Sequence, residues 1–130
     1  MSERPPRRSF FRAFALYWLP VLLYVGVIFS LSSRPNLKAP LPFQNGDKVC
    51  HMLEYGGLGI LMARALRANA RVSSPLRAAL VAVTVGAAIA AADENFQRLI
   101  PGRDSSVYDW MADVTGLVFA QIFYLLFARE

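Results

Sequence analysis

Apolar residues gather in four blocks along the chain, separated by short polar and proline-rich stretches. The first block, residues 10–31, is apolar on all sides and carries one charge, Arg12. A membrane-spanning helix needs about 20 mostly apolar residues, and this block is long enough. Pro20 lies inside it and predicts a kink, tolerated where a neighbouring helix satisfies the carbonyl that proline leaves free. Residues 32–46 hold Pro35, Pro40 and Pro42 with Asn36, Asn45 and Gly46, and read as an extended loop. The second predicted helix, residues 47–66, opens with Asp47, Lys48, His51 and Glu54. The third, residues 75–92, is alanine-rich. Its Ala82, Gly86 and Ala90 form a ladder of small residues that lets another helix approach closely. A polar stretch, residues 93–106, contains the turn Pro101-Gly102. The fourth helix, residues 107–128, starts with Asp109 and Asp113 and then becomes apolar.

Composition turns this pattern into a fold. Of 130 residues, 55% are hydrophobic and 18% charged, and mean hydropathy is +0.36. Soluble domains carry about 25% charged residues. A small chain cannot bury so much apolar surface in water, because too much of it stays exposed. The same composition excludes a disordered chain, and the single Cys50 excludes a disulfide scaffold. The expectation is an all-α protein: one domain over residues 1–130, an integral bundle of four transmembrane helices. The first apolar block is longer than the core of a secretory signal, so it reads as a retained span. Cys50 reads as a packing residue.

Charge then sets orientation. The formal net charge of +5 divides unevenly between the two sides of such a bundle. Arg4, Arg7, Arg8, Arg12, Arg64, Arg67, Arg71, Arg77 and Arg129 fall on one side with only Glu3 and Glu130. Arg34, Lys38, Lys48, Arg98 and Arg103 fall on the other, with seven acids. Cytoplasmic loops carry the excess of Lys and Arg, so both termini are expected in the cytoplasm. The basic residues therefore read as anchors to lipid headgroups, and no nucleic-acid partner is expected.

The acids mark the candidate site. Asp47, His51 and Glu54 share one helical face, with Tyr55 beside it. Asp109 and Asp113 share another, with Gly116 one turn further on. Asp93, Glu94 and Gln97 close the third helix. Three helix ends thus bring carboxylates to one region on the outer side. Ionisable groups near a bilayer are costly and usually face the bundle interior or a cavity. Asp47 and Asp109 also suit helix N-termini, and Ser105 and Ser106 read as caps of the fourth helix. Arg103 offers a planar fork suited to a phosphate. A histidine among carboxylates is able to bind a divalent metal or act as general acid and base. With one histidine, no cysteine pair and no closed ligand spacing, no cofactor and no metal site is expected from the spacing itself.

The run from Asp47 and Lys48 through His51 to Tyr55, Gly56, Gly57 and Gly59 resembles the first signature of the VanZ-like family. The residues Asp93, Glu94, Gln97, Pro101, Gly102, Arg103, Ser106, Asp109, Asp113 and Gly116 resemble its second. Here Asp113 stands where the family often carries Asn, and Ala120 where it often carries Gly. The resemblance implies a small integral protein of the bacterial inner (cytoplasmic) membrane, in a family named for low-level teicoplanin resistance. It supplies positions and no reaction.

Three functions fit these residues. The first is a cell-envelope protein binding a lipid-linked or peptidoglycan-related ligand, or an amphiphilic antibiotic, and affecting glycopeptide susceptibility. Asp47, Lys48, Tyr55, Asp93, Glu94, Gln97, Arg103, Ser106 and Asp109 would then line the ligand site. The second is an intramembrane enzyme on a lipid phosphate or glycan, with His51, Glu54 and Asp113 as catalytic groups. The third is a small transporter or flippase, built as a homo-oligomer because four helices are few for a transport path. Membrane lipids are partners in every case.

Overall fold

The computed structural model describes residues 9–38, 40–69, 71–72 and 74–128, all of them helix or connecting loop. The chain begins with a short helix α1 (Phe10–Ala13), a π-helical segment (Phe14–Trp18) and α2 (Leu19–Ser32) in direct succession. Three long helices follow: α3 (Gly46–Arg67), α4 (Pro75–Gln97) and α5 (Val107–Phe127). Four helical rods therefore form one bundle, as the hydrophobic blocks predict.

The first rod shows how Pro20 is accommodated. Proline has no N–H to give the carbonyl four residues back, here Leu16. A π-helical segment precedes Pro20, which takes its place in the first turn of α2. Arg64 of α3 then donates from Nη1 to the Leu16 carbonyl at 2.7 Å, and its guanidinium lies over the Tyr17 ring. A residue expected only to set topology also ties the π-helical segment to the neighbouring helix.

Three rods, Phe10–Ser32, Pro75–Gln97 and Val107–Phe127, are long and apolar enough to cross a membrane. Their outward residues are apolar: Leu22, Leu23 and Val27 on α2, Leu80 and Val85 on α4, Phe119, Ile122 and Phe123 on α5. Several polar side chains are inside, among them Ser32, Asp93, Glu94, Asp113 and Gln121. Water would reward the opposite arrangement; lipid rewards this one. Helix α3 matches the others in length but carries charge at both ends. It lies against α2, α4 and α5, so its own composition need not match lipid.

Small residues let α3 and α5 meet most extensively. A side chain on Gly116 would strike the backbone carbonyl of Met52. One turn on, a Cβ on Gly59 would stand 2.9 Å from Ala120 Cβ, so alanine at 120 still closes the seam. The ladder on α4 works as expected: Ala82 and Ala90 are fully buried, and a Cβ on Gly86 would lie 2.6 Å from Leu117. Gln121 adds a polar tie, donating to the Gly59 carbonyl at 2.9 Å inside the bundle.

One helix end and one cap depart clearly from the sequence reading. Helix α4 continues to Gln97 and does not stop at residue 92. Its last residues are polar because they face a polar interior, so hydropathy ends before the helix does. Ser106 caps α5, its Oγ accepting from Asp109 N–H, but Ser105 does not; its hydroxyl is engaged elsewhere. Asp47 and Asp109 sit in the first turns of their helices, where a carboxylate meets the positive end of the dipole. Arg4, Arg7, Arg8, Arg129, Glu3 and Glu130, on which part of the orientation argument rests, lie outside the described residues.

Candidate functional site

The start of α3, the end of α4 and the start of α5 come together at one end of the bundle. The register follows from the chain. Spacings of three and four residues place Asp47, His51 and Glu54 on one side of α3, and Asp109 and Asp113 on one side of α5. Close packing at Gly116 then brings those sides within hydrogen-bonding distance.

His51 is at the centre. Its Nδ1 lies 2.7 Å from Asp113 Oδ1. With Asp113 ionised, the ring nitrogen is the donor, which leaves Nε2 facing elsewhere. Nε2 is 3.9 Å from Asp109 Oδ1, and Nδ1 is 3.8 Å from Glu94 Oε1. Lys48 Nζ bridges the two carboxylates at the rim: it contacts Asp109 Oδ1 and lies 2.6 Å from Asp47 Oδ2.

Behind these groups stand others that hold them. Tyr55 is fully buried, and its hydroxyl donates to Asp93 Oδ2 at 3.0 Å. Ser105 donates to the Glu94 side chain, Oε2, at 2.8 Å. Gln97 Nε2 donates to Ser32 Oγ at 3.2 Å, tying the end of α4 to the end of α2. Tyr24 reaches in from α2 and donates to the Glu54 backbone carbonyl at 2.6 Å. The Glu54 carboxylate lies within electrostatic reach of His51, Asp93, Glu94 and Arg103.

Arg103 stands at the edge. Its Nη1 donates to the Leu37 carbonyl at 3.2 Å, fastening the chain around Leu37 to this end of the bundle. The same turn needs Gly102, whose φ of +76° suits glycine and whose missing side chain makes room for Asn36.

The site grades from open to closed. The side chain of Asp47 is 50% exposed, that of Lys48 29% and that of His51 15%; those of Asp109 and Glu94 are 6% exposed and that of Asp113 is fully buried. Asp93 Oδ1, Glu94 Oε1 and Asp113 Oδ2 are buried without hydrogen-bond partners among the described residues. Carboxylates outnumber cationic groups, so the interior attracts positive charge. One ring nitrogen of His51 and one oxygen each of Glu94 and Asp109 lie within 4.8 Å of one another, the grouping best placed to hold a metal ion.

The residues expected at the site thus divide into layers. Asp47, Lys48, His51, Glu94, Asp109 and Asp113 form one connected set, with Glu54 and Arg103 beside it. Tyr55, Asp93 and Gln97 are brought to the same end but packed behind, and Ser106 is occupied in capping. The sequence reading missed Tyr24, Ser32 and Ser105 as partners of the site. Their signal was weak: a hydroxyl in an apolar span, at a helix end or beside a cap is common without such a role.

No curated protein and no solved structure shows a significant match to the chain. A family model described as VanZ/LLP1 matches residues 6–128, nearly the whole length, and takes in both the bundle and its polar end. With that coverage and these membrane-spanning helices, the chain is a membrane protein that belongs to the VanZ/LLP1 family.

Proposed function

We propose that this protein binds an amphiphile of the bacterial cell envelope, a lipid-linked or peptidoglycan-related ligand or an amphiphilic antibiotic, at the polar end of the bundle. The observation that carries the reading is the graded opening of that end. Lys48 and His51 are partly open, while the carboxylates behind them are closed off. A ligand whose tail lies in the bilayer presents its head at this level, where side chains in a low-dielectric setting act strongly on charge. Lys48 and Arg103 meet an anionic group at the rim, and the inner carboxylates meet a cationic one. Ser106, Tyr55, Asp93 and Gln97 support the site from behind. The protein sits in the cytoplasmic membrane with this end outward, and a role in glycopeptide susceptibility follows from capturing such a ligand at the outer leaflet.

The test is binding of a labelled lipid-linked phosphate to the purified protein in nanodiscs. Arg103→Ala removes a charge-assisted hydrogen-bond donor, worth about 1.5–3 kcal/mol to a charged partner, so affinity falls at least about tenfold. Affinity equal to that of the wild type overturns the role of Arg103, and no binding by the wild type overturns the ligand class.

A further inference from the structure

Two distances at His51 belong to no hydrogen bond. Nδ1 is 3.8 Å from Glu94 Oε1 and Nε2 is 3.9 Å from Asp109 Oδ1. Both exceed hydrogen-bonding range. With Nδ1 given to Asp113, the Nε2 pair is the one that suits two ligands of one ion: ligand atoms about 2.1 Å from a metal stand about 3.4 Å apart at tetrahedral angles and about 4.2 Å apart across it. Glu94 belongs to the same group, because one ring nitrogen and one oxygen each of Glu94 and Asp109 lie within 4.8 Å of one another. A second observation is independent of spacing. Glu94 Oε1 is buried with no hydrogen-bond partner, on a side chain 6% exposed, and it is the oxygen turned toward the imidazole. A buried carboxylate oxygen left unpaired is costly, and a cation satisfies it directly.

We propose that His51, Glu94 and Asp109 form a binding site for a divalent transition-metal cation of the zinc or manganese type. The donor set is one imidazole nitrogen and two carboxylate oxygens, one donor from each of α3, α4 and α5. Imidazole suits zinc, copper, iron and nickel, and carboxylates suit manganese, whereas magnesium and calcium favour oxygen alone. A neutral imidazole with two carboxylates also balances a dication.

Asp113 is the positioning residue. It accepts from Nδ1, which fixes the ring and leaves the Nε2 lone pair for the ion, the usual arrangement behind a metal-bound histidine. Lys48 is the competitor. Its ammonium contacts Asp109 Oδ1, the oxygen that faces Nε2, so cation binding displaces it toward Asp47. The site stands whichever amphiphile the mouth accepts, and its test measures metal without any envelope ligand added.

The experiment uses the full chain, purified in detergent, stripped with a chelator and dialysed against Zn²⁺, Mn²⁺ or Mg²⁺, with metal content read by elemental analysis. The expected result is stoichiometric Zn²⁺ or Mn²⁺. Affinity falls at least tenfold in Asp109→Asn, and by about 10–100-fold in Asp113→Asn, as for other outer partners of metal ligands. Lys48→Met binds the ion more tightly than the wild type, a gain that a purely structural role would not give. Glu94→Gln and Asp109→Asn are buried alike, so circular dichroism reports whether each folds, and Lys48→Met, at a side chain 29% exposed, carries the test if they do not, with unchanged affinity there overturning the proposal. No stoichiometric metal in the wild type overturns the proposal. So does equal affinity in Asp109→Asn and the wild type, or a preference for Mg²⁺.

Discussion

At the scale of single residues, the polar end is organised by pairs made across helices. Tyr55 with Asp93 shows the logic. A phenol fully inside the bundle needs an acceptor, and a carboxylate 99% inside needs a donor; each solves the other's desolvation. Tyr55→Phe leaves Asp93 without this bond, while its other oxygen already lacks a partner among the described residues. The variant is expected to lose about 1–3 kcal/mol of stability, read as a lower denaturation midpoint in detergent. An unchanged midpoint would show that Asp93 finds another donor. The sequence shows that Tyr55 and Asp93 both lie near helix mouths. It cannot show that they touch, because they are 38 positions apart and belong to different helices.

At the scale of elements, backbone proximity decides what side chains reach. Helices α3 and α5 enter from the same end and touch through Gly116, where even a methyl group would meet the Met52 carbonyl. Separating them would pull Asp109 and Asp113 away from Lys48 and His51. Gly116→Leu is therefore expected to cost more than the roughly 1–3 kcal/mol typical of an overpacked core, because backbone and not a flexible side chain must give way. It should also loosen the polar end. Gly26 on α2 has no neighbour within 4 Å of a Cβ, so Gly26→Ala serves as the control and is expected to leave stability unchanged or slightly raised. Unfolding of both variants in the same detergent checks the contrast; equal midpoints would remove Gly116 as the seam. The small-residue ladder of α4 was legible in the sequence from its spacing. The seam at Gly116 was less so, since close approach depends on which helix lies opposite.

At the scale of the whole molecule, polarity is turned inside out. Apolar side chains face outward along three spans, and charge is collected at one end of the interior. The described bases Arg12, Arg64, Arg67, Arg71 and Arg77 belong to the start of the first rod, the end of α3, the next loop and the start of α4, at the end opposite the site. By the positive-inside rule we predict that this end faces the cytoplasm. A cysteine introduced as Lys38→Cys, in a Cys50→Ser background, is then expected to react with a membrane-impermeant maleimide on intact spheroplasts. Arg71→Cys in the same background reacts only after permeabilisation. The reverse pattern would put the polar end inside the cell.

The sequence by itself determined the four helices, the apolar character of three of them, and the three helix ends at which ionisable residues collect. These are local properties: length and hydropathy define a span, and residues three or four apart share a face whatever surrounds them. Only the tertiary structure decided which groups are partners. It paired His51 with Asp113, Tyr55 with Asp93 and Lys48 with Asp109, and it turned Ser105 from an expected cap into a partner of Glu94. It also extended α4 through residues whose polarity hid the helix. Pairing depends on how closely helices approach and how each is rotated about its axis. Both are fixed by the sum of many small-residue contacts spread along the chain, and no local spacing records that sum.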